Sequence, residues 1–129
     1  MASPEDRRYL QTHEWHKLDD GTVTIGISEF AVCELTDITF IEITRQEGAI
    51  RSGEPFGEIE SVKATGELFS GIDGTIIAVN QQTIDDPGII NEDPYGRGWL
   101  VKIKPDNPSH LDALMVASAY DAIMGAEQV

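Results

Sequence analysis

The sequence predicts a mainly β fold with short appended helices, and three observations predict it. Alternating apolar residues recur at 22–27, 75–79 and 99–104, the period of half-buried strands. The stretch from Glu54 to Asn80 is punctuated by glycine and rich in β-branched and aromatic residues at strand spacing. From Ser109 to Met124 the apolar residues fall at helical spacing instead, so helices close the chain.

Taken in order, Met1 to Arg8 is polar and is expected to be a loose N-terminus, with a single domain from Tyr9 to Val129. After the Asp19-Asp20-Gly21 turn, Val23, Ile25 and Ile27 alternate with Thr22, Thr24 and Gly26 as a strand. Ser28 is placed to cap a short helix carrying Phe30, Ala31, Cys33 and Leu35. Ile38, Phe40, Ile41 and Ile43 resume strand character, and the double apolar step at Phe40-Ile41 implies a bulge or burial on both faces. Gly48 and Gly53 bracket a turn. Glu54 to Asn80 predicts a hairpin with Lys63 near its tip and a second hairpin turn at Gly71 to Gly74. Thr75, Ile77 and Val79 share one face of a strand, and a long loop runs from Asn80 to Gly98. Trp99, Val101 and Ile103 alternate with Leu100, Lys102 and Lys104 until Pro105 and Pro108 stop the strand. Leu111, Leu114, Met115, Ala119, Tyr120 and Ile123 place one or two short helices on the sheet.

Composition narrows the function. The 129 residues carry nine basic against 23 acidic side chains and a formal net charge of -14, which argues against nucleic acid, since phosphate binding needs clustered cations. An acidic surface favours basic protein partners and salt-sensitive encounter. No apolar stretch approaches the ~18 residues of a membrane span, and no leader or presequence pattern opens the chain. A cytoplasmic location is expected, or a mitochondrial matrix if a presequence has been removed. The one cysteine, Cys33, pairs with nothing internally and reads as a packed core thiol. His13 and His16 point to opposite faces of a strand and lack a third ligand, so no metal site is expected. Trp15 and Trp99 read as core or cleft walls, and Asn91-Glu92-Asp93-Pro94 as a proline turn without calcium-loop spacing. No catalytic triad or phosphate-binding glycine loop is present.

A solvated charge is the ordinary reading of a surface lysine. Lys63 stands apart, because it is one of only four lysines and sits at a turn between two strand-like runs, in Glu60-Ser61-Val62-Lys63-Ala64. A modifying enzyme reaches such a tip without unfolding anything.

That pentapeptide resembles the lipoyl-attachment hairpin of the glycine cleavage H-protein family. The resemblance extends through Tyr9 with His13-Glu14-Trp15, Thr24-Ile25-Gly26-Ile27, Phe30-Ala31, Asp37-Ile38, Gly53-Glu54, Gly57-Glu58, Val79-Asn80, Asn91 to Gly96 and Gly98-Trp99-Leu100, from about Tyr9 to Ala126. It implies a barrel-sandwich hybrid of the lipoyl-domain kind and a carrier rather than an enzyme, with lipoate attached covalently to Lys63. The arm would reach on the order of 15 Å. The implied role is to carry the aminomethyl group of glycine from glycine decarboxylase to aminomethyltransferase, with reoxidation by dihydrolipoamide dehydrogenase. The implied modifying partner is a lipoyl or octanoyl transferase or a lipoate ligase, and the carrier is expected to be a monomer. Thr12, Glu14 and Glu67 are the candidate cleft residues for the cationic cargo; the ordinary readings are a surface strand residue for Glu14 and a hairpin residue for Glu67.

Four positions depart from the common family pattern: Thr36 stands where glycine is usual, Arg45 follows Thr44 without the expected proline, Gly66 replaces serine and Gly71 replaces proline. Gly66 and Gly71 are expected to loosen the hairpin. The departures leave open an H-like lipoate carrier of another pathway, such as heterodisulfide-reductase-like sulfur oxidation, or an H-like protein that is never lipoylated. Val62 and Ala64 beside the lysine disfavour biotin, whose acceptor is usually flanked by methionines.

Overall fold

A computed structural model describes residues 2–127 as two antiparallel sheets packed face to face. The larger sheet has six strands in the order β1 (Arg8–Tyr9), β2 (Glu14–Asp19), β3 (Thr22–Ile27), β9 (Val101–Pro105), β8 (Gly74–Val79) and β5 (Gly48–Ile50). The smaller has β4 (Ile38–Glu42), β6 (Pro55–Ser61) and β7 (Thr65–Phe69). Short helices α1 (Glu29–Leu35), α2 (Gln81–Asp85), α3 (Gly88–Glu92) and α4 (Ala117–Glu127), with a 3-10 turn at Pro108–Ala113, cover the edges. The expected mainly β sandwich-like architecture is therefore present, although the sheets do not close into one barrel.

The core follows from the strand alternation. Val23, Ile25, Ile41, Ile50, Phe56, Ile59, Leu68, Ile76, Val101 and Ile103 point between the sheets and are buried. A second cluster, Tyr9, Trp15, Phe30, Tyr120 and Met124, fixes α4 to the outer side of β1 and β2. Trp15 faces Gly26 across the β2–β3 pair, where a Cβ would lie 2.5 Å from the indole ring, so only glycine fits.

Several expectations need correction. The residues from Ser3 to Arg7 are tied down: Ser3 bonds Asp121 through its N–H (3.0 Å) and hydroxyl (2.6 Å), and the Arg7 guanidinium lies 4.7 Å over the Trp15 ring. Gly71 to Gly74 is no hairpin turn, because β7 and β8 belong to different sheets and the segment is the corner between them. Cys33 is exposed, since on this two-turn helix it projects opposite the buried Ala31. The segment 80–98 is not a bare loop but holds α2 and α3, organised by Asn80, whose amide donates to the carbonyls of Arg97 (2.8 Å) and Trp99 (2.7 Å). On β8 the core residue is Ile76, while Ile77 faces outward. The Phe40-Ile41 step is neither a bulge nor burial on both faces: Phe40 and Ile41 pair regularly with Glu60 and Ile59, Phe40 is 43% exposed, and the register shift falls one step earlier, between Ile38 and Phe40.

Candidate functional site

The β6–β7 hairpin presents Lys63 on a four-residue loop closed by Ser61. The Ser61 Oγ accepts the N–H groups of Lys63 (3.1 Å) and Ala64 (3.0 Å), and the Ser61 N–H donates to the Ala64 carbonyl at 2.8 Å. This serine turn supplies the partners that strand pairing no longer provides after Glu60↔Thr65. The Val62 N–H donates to Asp37 O at 3.1 Å, so the start of β4 steadies the tip. The side chains of Val62 and Lys63 are left outside, Val62 at 68% exposure.

Beside the lysine lies a cleft of about 600 Å³. Its three walls are Thr12 and His13 of the turn before β2, Phe30, Ala31, Glu34 and Leu35 of α1, and Ile59, Gly66, Glu67 and Leu68 of the hairpin, and Ile27 at the end of β3 also lines it. The lining is apolar along α1 and the hairpin floor, with carboxylates at Glu34 and Glu67. An apolar chain rooted at Lys63 and ending in a cationic group meets matching chemistry here.

Of the expected cleft residues, Thr12 and Glu67 line the cavity together with Lys63. Glu14 lies one layer deeper, only 1% exposed. Its Oε1 accepts the Thr12 hydroxyl at 2.5 Å and its Oε2 accepts the Phe69 N–H at 2.7 Å. Burial raises its carboxyl from 4.5 to about 7, outweighing those two hydrogen bonds, which favour the charged form. Glu14 is therefore neither a surface residue nor a direct lining residue; it orients Thr12, which does line the cleft.

His16, on the same face of β2, accepts the Gly71 N–H at Nε2 (3.0 Å). Glu14 and His16 thus replace the missing strand neighbour of residues 69 and 71, pinning the corner between the sheets. Gly71 is held rather than loose, and a proline there would have no N–H to give. Burial lowers the His16 imidazole from 6.5 to about 4, outweighing the backbone of Glu14, so it is neutral, and its Nδ1 is buried with no well-formed hydrogen bond among the described residues. His13 is not on the strand: it sits at φ +90° in the preceding turn, with Nδ1 2.7 Å from the Tyr120 hydroxyl.

Sequence reasoning did not find Glu34, Phe30 and Leu35 as cleft walls, although an amphipathic helix after the Ser28 cap carried that signal. It also missed Asn91, whose side chain accepts from Ile38 N (3.0 Å) and donates to Thr36 O (2.7 Å), fixing the start of β4.

Comparison with known proteins gives consistent results. The glycine cleavage H-protein family model matches residues 7–127. The glycine cleavage system H protein of Magnetococcus marinus is 43% identical over 122 residues, covering 95% of this chain and 87% of that protein. Its counterpart in a Cyanothece species is 49% identical over 122 residues, covering 95% of each. The crystal structure of a glycine cleavage system H protein from Mycobacterium marinum superposes with a TM-score of 0.86 at 36% identity, over 95% of this chain and 98% of that one.

Proposed function

This chain belongs to the glycine cleavage H-protein family, and from that premise we propose that it is the lipoyl carrier of a glycine cleavage system, with Lys63 as the attachment residue. The observation that carries the assignment is Lys63 itself, exposed on a serine-closed hairpin tip at the mouth of a cleft of about 600 Å³. Bound through an amide to Nζ, lipoate supplies a dithiolane that takes up and releases an aminomethyl group.

The chain's own residues do the rest. Lys63 anchors the arm and loses its charge on acylation, which removes the cost of laying the side chain along apolar surface. Phe30, Ala31, Leu35 and Ile59 shelter the arm from water. At the cationic end, the Thr12 hydroxyl proton is engaged by Glu14, so the Thr12 oxygen lone pairs are turned to the cleft. Thr12 and Glu67 then accept hydrogen bonds from an ammonium group, with Glu14 behind them orienting the Thr12 hydroxyl.

The partners on this reading are glycine decarboxylase, aminomethyltransferase and dihydrolipoamide dehydrogenase, with a lipoyl or octanoyl transferase or a lipoate ligase acting on Lys63. The test is reconstitution of glycine cleavage from purified components. Wild type supports turnover and Lys63→Arg does not; turnover with both would overturn the assignment.

A further inference from the structure

We propose that Tyr120 of α4 is the positioning residue of the cleft, tying two of its three walls together through one buried hydroxyl. This rests on the carrier reading above and deepens it. The Tyr120 oxygen is 2.7 Å from His13 Nδ1 and 2.7 Å from Ser28 Oγ. His13 belongs to the turn that carries Thr12, and Ser28 caps the helix that carries Phe30, Ala31, Glu34 and Leu35.

Each wall is set by what Tyr120 holds. The Ser28 Oγ accepts the Ala31 N–H at 3.2 Å and the Ser28 N–H donates to His13 O at 2.9 Å, so the helix start and the turn already share a backbone bond. His13 sits at φ +90°, a conformation that a side chain other than glycine's holds only when its surroundings impose it. Those surroundings include the His13 N–H donating to Leu10 O at 3.0 Å and the Ser28 N–H donating to His13 O, together with the Phe30 ring, 5.3 Å between centroids, and the Tyr120 hydroxyl. Tyr120 in turn is fixed by stacking on Tyr9, with centroids 4.8 Å apart at 12°. Two proton orders satisfy the chain, Ser28 to Tyr120 to His13 Nδ1 or His13 Nδ1 to Tyr120 to Ser28 Oγ, and in both the Tyr120 hydroxyl is the bridge between the two walls. Burial holds the Tyr120 phenol well above its ordinary range, so the hydroxyl keeps its proton.

A tail helix packed on the far side of β2 thereby sets the width of a cleft it does not line. The experiment compares wild type with Tyr120→Phe, which keeps the Tyr9 stack and removes only the hydroxyl. In unmodified protein, the Ser28 and Ala31 amides are expected to exchange about fivefold faster in the variant, and the loaded, lipoylated variant to lose its aminomethyl group about fivefold faster. Lys63 lipoylation should be unchanged. Wild-type rates in both measurements would overturn the proposal. His13→Asn, which keeps a residue tolerant of positive φ but too short to reach Tyr120, supplies the second variant. Its cargo-loss effect should not add to that of Tyr120→Phe, and full additivity would also overturn the proposal. Failure of Lys63 to accept lipoate would count against the carrier reading instead, while amide exchange still decides whether Tyr120 holds the two walls.

Discussion

Replacing Glu14 with glutamine is expected to reshape the pH dependence of stability. Burial lifts the Glu14 carboxyl from 4.5 to about 7, so between those values the folded chain holds a proton that the unfolded chain has released. Stability then falls as pH rises through that window, by about 1.4 kcal/mol per pH unit and about 3 kcal/mol in all. His16 acts in the opposite sense. Burial depresses its imidazole from 6.5 to about 4, so the unfolded chain holds the extra proton and stability rises across that window by about the same amount. In wild type the two slopes offset each other from about pH 4.5 to 6.5. The glutamine keeps the geometry, its oxygen accepting from Phe69 N and its amide donating to Thr12, but it does not titrate. Urea unfolding from pH 4 to 8 should therefore show the Glu14→Gln curve gaining about 3 kcal/mol on wild type between pH 4.5 and 7, because the His16 slope is left unopposed. All other titrating groups cancel in that difference. Parallel curves for the two proteins would refute the buried, charge-strained carboxyl.

Two further substitutions probe the backbone. Thr36 closes α1 at φ 60° and ψ -137°, a region nearly reserved for glycine, so Thr36→Gly should stabilise by about 1 kcal/mol and raise the calorimetric midpoint by about 3 °C; no rise would contradict the strain. Gly71→Pro deletes the N–H that His16 accepts, leaving the buried Nε2 without that donor, and should cost about 1–3 kcal/mol in urea unfolding. A wild-type midpoint would show that the corner is not held there.

What could be read from the sequence was whatever depends on local period. The alternation at Val23, Ile25 and Ile27, the Ser28 cap and the Lys63 hairpin all depend on residues close in the chain, and all stand as expected. The errors come from long-range partners. Gly71 and Gly74 look like a hairpin turn until it is known that β7 and β8 pair with different strands. The three-residue β5 is too short to show a period and exists because β8 offers it an edge. The α2 and α3 helices, five residues each, depend on Asn80 reaching Arg97 and Trp99 rather than on their own propensity. Glu14 was expected among the cleft residues, but it lies beneath them, because β2 is covered on both faces and its Glu, Trp and His are all buried.

The central claim, that Lys63 carries the arm, is tested most directly by intact-mass spectrometry with peptide mapping of protein purified from its native cells. A lipoyl increment confined to the peptide containing Lys63 is the predicted result. An unmodified Lys63, or an increment on Lys17, Lys102 or Lys104 instead, would contradict it.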